Sequence, residues 1–228
     1  MKRLFLILTI DFLIYMSSFS QSGKITITGK VTDYNENPID SALIEIKNNS
    51  FTTLYSTYSS KYGDYSITID EGLYIALSCI RLRDYAINNL EFWAWNVQAF
   101  KNLTLNIHYD KLEIYGVNVF KIQGAYSGYS IYFRPMSLTR FKNKLADISP
   151  SIETLDLTVE INGQNIKVNS VQKVSEYNNN QKIYGFLIQT DLANSSSGDF
   201  DIIKIVGKDK ENGDMGEAIY YKTIEKYK

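Results

Sequence analysis

Most of the chain reads with a period of two. From Lys24 to Thr32, Ile25, Ile27 and Val31 alternate with Thr26, Thr28, Lys30 and Thr32, as expected of a strand with one dry and one wet face. Asn35, Asn37 and Pro38 supply turn chemistry, after which Ala42, Ile44 and Ile46 share a face opposite Glu45 and Lys47. The pattern predicts further strands at about Phe51–Tyr58, Tyr65–Ile69, Leu73–Ile80 and Leu103–Tyr109, punctuated by Gly63-Asp64 and Glu71-Gly72. A second set is predicted at about Leu112–Phe120, Tyr129–Arg134, Leu155–Ile161, Asn165–Val171, Lys182–Thr190, Phe200–Val206 and Ala218–Ile224. In the run LDLTVEINGQNIKV, Leu155, Leu157, Val159 and Ile161 fall on one face, and Asn162-Gly163 is a preferred pair for a tight hairpin. A helical spacing shows at Leu138, Phe141, Leu145 and Ile148, behind a possible cap at Ser137.

Short strands at this spacing predict an all-β chain of two consecutive antiparallel β-sandwiches, the second immunoglobulin-like and carrying one short helix. The boundaries expected are 1–20 for an export signal, 21–110 for the first sandwich and 111–228 for the second. Tyr109 to Leu112 contains no Gly, Pro or Ser-rich spacer, so the modules should touch. Gly29, Val31, Asp33, Pro38, Ala42 and Ile44, then Gly63, Tyr65 and Ile67, then Gly72 and Tyr74, resemble the carboxypeptidase regulatory-like domain, a transthyretin-like sandwich, over about residues 24–110. Such domains commonly have glycine where this chain has Glu36-Asn37 and again at Ser41. The resemblance implies a spacer or adhesive module without catalytic residues of its own.

Charge narrows the partners. With 24 basic and 25 acidic side chains the net charge is -1, which offers no basic stripe for nucleic acid or an anionic membrane. Lys2 and Arg3, an apolar run from Leu4 to Met16 and the small residues Ser18 and Ser20 read as an export signal cut before Gln21, leaving no transmembrane domain in the mature chain. Asp11 interrupts that run, and a retained anchor is the alternative. The expected location is periplasmic, cell-surface or secreted. Cys79 has no partner cysteine and reads as a buried small apolar residue.

Catalytic chemistry is scarce. A zinc site needs about three converging ligands, whereas His108 is the sole histidine and falls on the polar face of its strand, where solvation is expected. No GxSxG elbow is present, and Cys79 and His108 both sit in strands with no helix terminus to activate the thiol. No metal or cofactor is expected. Asp209, Glu211, Asn212 and Asp214 crowd into one loop, which reads as a calcium site of non-EF-hand spacing or as a polar hairpin. Asp40-Ser41-Ala42 matches an O-glycosylation triplet or a strand entry. In NNLEFWAWNVQAF, an extended chain would put Trp93 and Trp95 on one face with Phe92 and Ala94 on the other, and Tyr85 lies just upstream. Exposed coplanar indoles would stack on sugar rings or anchor a protein; buried, they would pack at the module junction. The expected function is a non-enzymatic adhesion, assembly or spacer module whose partner is a cell-envelope protein or glycan, with carbohydrate binding through Trp93, Trp95 and Tyr85 as the alternative.

Overall fold

The computed structural model describes residues 23–124, 127–179, 181–193 and 198–224; the export-signal segment 1–20 lies outside them. The first half runs β1 (Lys24–Thr32), β2 (Leu43–Lys47), β3 (Thr53–Tyr58), β4 (Asp64–Asp70), β5 (Gly72–Ile80), β6 (Phe92–Ala99), and the two-residue β7 (Leu103–Thr104) and β8 (Ile107–His108). The second runs β9 (Leu112–Phe120), β10 (Tyr129–Ser137), α1 (Leu138–Lys142), β11 (Leu155–Ile161), β12 (Gln164–Ile166), β13 (Val168–Asn178), β14 (Gln181–Thr190), β15 (Phe200–Asp209) and β16 (Met215–Thr223). The all-β class with one short helix holds.

The strands form two small sheets and one large one. One small sheet pairs β4, β1 and β7, with β8 also on β1; the other is ordered β13-β14-β10-β9. The large sheet has eight strands in the order β12-β11-β15-β16-β6-β5-β2-β3 and therefore crosses both halves of the chain. Its halves meet where β16 pairs in parallel with β6, Ala218 opposite Trp93, Ile219 opposite Ala94 and Tyr220 opposite Trp95. The sandwiches are otherwise antiparallel apart from the parallel pairing of β1 with β7 and β8.

Alternation at the seam divides side chains between two cores. Phe92, Ala94, Ile219 and Tyr221 join a core built from β1, β2, β4, β5 and the segment around Ile107. Ala218 joins a second core built from β9, β10, β11, β14 and β15, against which Trp95 and Tyr220 pack. β16 thus supplies two large side chains to the first core, Ile219 and Tyr221, each worth roughly 2 kcal/mol of burial. Asn96 adopts φ 53°, and across it the inward positions slip from Phe92 and Ala94 to Val97 and Ala99. Its side-chain amide donates to the Tyr221 carbonyl at 2.6 Å, stitching the seam at the point of the slip.

Several expectations change for stated reasons. The strand expected at Leu103–Tyr109 breaks into two pieces, with side-chain amides taking up β1 donors along the same edge. Asn102 Oδ1 accepts from Thr26 N at 2.9 Å, and Asn106 Oδ1 accepts from Lys30 N at 3.1 Å. The strand expected at Asn165–Val171 splits at Lys167 because the chain there leaves the eight-stranded sheet for the small one. Ser137 caps α1 by accepting from Arg140 N, as expected, but the helix stops at Lys142, and Phe141 and Leu145 stand exposed. Asn162 and Gly163 take the paired positive φ of a tight hairpin, 53° and 78°.

The connection between the halves has no free reach. Tyr109 bridges Gly216, the Asp110 carbonyl accepts from Leu90 N at 2.7 Å, and the Lys111 carbonyl accepts from Leu138 N at 2.8 Å. Leu112 then crosses directly over Gly216, where an added Cβ would lie 1.6 Å from the Leu112 carbonyl oxygen. Gly216→Ala must push the two backbones apart, and we expect a loss of about 2–3 kcal/mol, read as a thermal midpoint lower by roughly 5–10 °C.

Candidate functional site at the shared sheet

The two small sheets pack on opposite faces of the large one. On the second core's side, the outer face of β6 carries Trp93 and Trp95 next to the start of β9. The indoles stack on each other, ring centroids 5.1 Å apart and planes 21° from parallel. Side chains two residues apart on a strand stand roughly perpendicular to the sheet and at this spacing meet face to face. A coplanar platform is therefore not what forms. Phe51 closes over the pair, with centroids 6.4 Å from Trp93 and 6.0 Å from Trp95.

Phe51 reaches that position through a turn in which Asn48 Oδ1 accepts from Ser50 N and Thr52 N, both at 3.0 Å. The turn also leaves Phe51 at φ 59°, a strained value for a bulky residue. Trp93 Nε1 donates to Glu113 Oε1 on β9 at 2.9 Å, tying the two halves by a side-chain bond. The other carboxylate oxygen of Glu113 and the Trp95 Nε1 are buried and have no hydrogen-bond partner among the described residues.

Burial pushes the Glu113 carboxyl up to about 7 against the pull of the Trp93 N–H. Glu91 also rises to about 7, from burial first and then the charge of Glu113. Tyr85 is 40% exposed and lies in the same field. Its phenol is raised by burial and then by Glu113, Glu91 and Tyr115. Trp93, Trp95 and Tyr85 thus neighbour two carboxylates that the alternation left unremarked. Glu113 carries a signal after the fact: a lone acid in LEIYGVNVF, between Leu112 and Ile114, both buried.

The other candidates are spent on structure. His108 is half-buried, not solvated, because its Nδ1 sits 3.2 Å from Glu217 Oε1, while Lys204 holds the second oxygen of Glu217 at 3.0 Å. The bond to Glu217 raises the His108 pKa against the cost of burial. In the loop 209–214, Asp214 accepts from Ser137 Oγ at 2.6 Å, Thr139 N at 2.9 Å and Thr139 Oγ1 at 2.8 Å. Asp209 is fully buried against Arg140 Nε at 2.6 Å, and Glu211 pairs with the same guanidinium. These carboxylates anchor α1 on the β15–β16 hairpin. Among the described residues no group of three or more His, Cys, Asp and Glu is placed to hold a metal. Cys79 is fully buried, and burial pushes its thiol up. Asp40 is held by Arg81 at 2.8 Å and Arg83 at 3.0 Å, and Ser41 beside it is exposed.

No protein-family model and no curated protein matches this chain. Among solved structures, BcpA, the major pilin subunit of Bacillus cereus, overlays at 12% identity across 88% of this chain and 70% of that one, with a TM-score of 0.30. The major pilin SpaD from Corynebacterium diphtheriae overlays at 10% identity, 89% and 65% coverage and a TM-score of 0.26. The ectodomain of mouse nectin-like molecule 4 gives 12% identity, 89% and 64% coverage and a TM-score of 0.28. Overlays this loose carry no argument about partner or activity; the fold rests on the strand pairing. No helix among the described residues is long and apolar enough to cross a membrane.

The buried carboxylates make stability depend on pH. Glu113 titrates in the fold near 7, above its unfolded value, so its penalty is absent below about pH 4.5 and grows as pH rises through 7. The raised His108 works in the same sense, its contribution being present below the unfolded value and lost as pH rises through the folded one. Glu113→Gln keeps an acceptor for Trp93 and removes the charge. We expect little change at pH 5 and a gain on the order of 2–3 kcal/mol at pH 8, measured by urea unfolding at both values.

Proposed function

We propose that this chain is a non-enzymatic, exported cell-envelope protein that serves adhesion or assembly. Its parts would be an export signal at 1–20, a carboxypeptidase regulatory-like sandwich at 21–110 and an immunoglobulin-like sandwich at 111–228. The observation that carries this reading is where the reactive side chains go. His108, Asp209, Asp214 and Cys79, reactive side chains that the sequence singles out, are engaged in holding strands and the helix or in filling the core. The expected partner is an envelope protein or glycan.

Two backbone positions support the resemblance of the first module. Glu36 and Ser41, where such domains commonly carry glycine, adopt φ 61° and 56°. That is the left-handed region glycine enters without strain, so the turn geometry is kept while the residue differs. At Trp93 and Trp95, each ring covers a face of the other, which favours the junction role over a platform for sugar and sets carbohydrate binding through these residues and Tyr85 second.

Two measurements test the proposal. Peptide, ester and glycan substrates should be left intact by the purified chain; turnover abolished by His108→Ala would overturn the non-enzymatic reading. Small-angle scattering should fit one fixed arrangement of the halves, and Trp93→Ala with Trp95→Ala should broaden it. A broad spread in the unsubstituted chain, or an unchanged curve in the double variant, would remove the junction role.

A further inference from the structure

Opposite stacking of the small sheets leaves a second open corner, on the first core's side of the large sheet. There the end of β6, the segment into β7, the Asn162-Gly163 turn and the ends of β15 and β16 wall a cleft of about 910 Å³. We propose that this cleft binds a neutral oligosaccharide. The site is separate from the Trp93–Trp95 corner and stands whether or not that corner is a junction.

Three features select this class of ligand. Gln98 lines the cleft at 6% exposure, yet its Nε2 reaches only the Asn96 carbonyl at 3.4 Å and Thr223 Oγ1 at 3.5 Å, both at the far limit of a hydrogen bond. Both N–H groups of this buried amide are thus held by long bonds alone, and a closer ligand oxygen can take the place of either acceptor. Gln164 and Thr223 add groups that both donate and accept, which matches vicinal hydroxyls. Asn162 contributes rigidity instead, since it donates to Asp201 at 2.8 Å and accepts from Ile202 N at 2.9 Å.

Phe100 supplies an apolar wall suited to the C–H face of a sugar ring. It is 56% exposed at the rim, while Phe200 is held inside against Tyr221 at 5.6 Å. Lys101 and Asp199, one of each sign, leave the lining without net charge and give no preference for a charged polymer.

The test is amide-resolved NMR of the full chain titrated separately with maltohexaose, cellohexaose and chitohexaose. We expect at least one to shift the amides of residues 98–103 and 198–202 saturably. Phe100→Ala should weaken that binding by about fivefold, and Gln98→Glu, which removes the amide donor while keeping the shape, should weaken it similarly. Phe141→Ala, exposed on α1, should leave it unchanged. The proposal fails if none of the three sugars shifts the cleft or if the shifts centre on residues 93–95. It also fails if Phe100→Ala has no effect, or if an oligogalacturonate binds the cleft more tightly than every neutral sugar.

Discussion

Three residues of β6 lying parallel to three of β16 hold this molecule together. Apart from the single bridge of Tyr109 to Gly216, the other pairings among the described residues are made within one half of the chain, and this one turns two four-stranded layers into a single sheet. Because side chains alternate across a strand, the same short ladder must satisfy two cores at once, with Ile219 and Tyr221 on one side and Ala218 and Tyr220 on the other. The first core stays incomplete until the far end of the chain arrives, since Asn96 and its partner Tyr221 are 125 residues apart. Contacts of that separation are closed late and slowly, and the two halves are therefore coupled in folding as well as in position.

The chemistry around Trp93 and Trp95 follows from that constraint. Once β6 is interior to the sheet, its outer face meets β9, and Glu113 is taken out of water with one oxygen bonded and one not. An apolar residue there would be less costly. The acid does fix a register, because the Trp93 N–H needs an acceptor at one place on β9. The same logic explains Gly216, where the backbone of the entering strand leaves no room for a side chain.

Much of the fold was legible from periodicity. The bounds of β1, β9 and β11, the Ser137 cap and the Asn162-Gly163 hairpin follow from rules that act over a few residues. What was not legible depends on distant partners. Phe92–Ala99 is not among the strands that periodicity predicts, nothing local to it points to β16, and the Asn102 and Asn106 amides that serve β1 look in sequence like ordinary polar strand positions. Leu138 and Phe141 lie in α1 as their spacing predicts, whereas Leu145 and Ile148 continue that spacing by coincidence, since α1 ends at Lys142 and Lys144 adopts φ 57°. His108 looked solvated because Glu217 is 109 residues away. The site was half legible: two adjacent indoles are conspicuous, whereas Glu91 and Glu113 gain their meaning only from burial.

Native-state hydrogen exchange at the β6–β16 seam is the most direct check. If the large sheet is continuous, the amides of residues 93–95 and 218–220 should open with nearly the same free energy as core amides such as Ile27 and Ile203, within about tenfold in protection. Exchange at the seam as fast as in the loops, with both cores still protected, would show two separately closed sandwiches that merely touch.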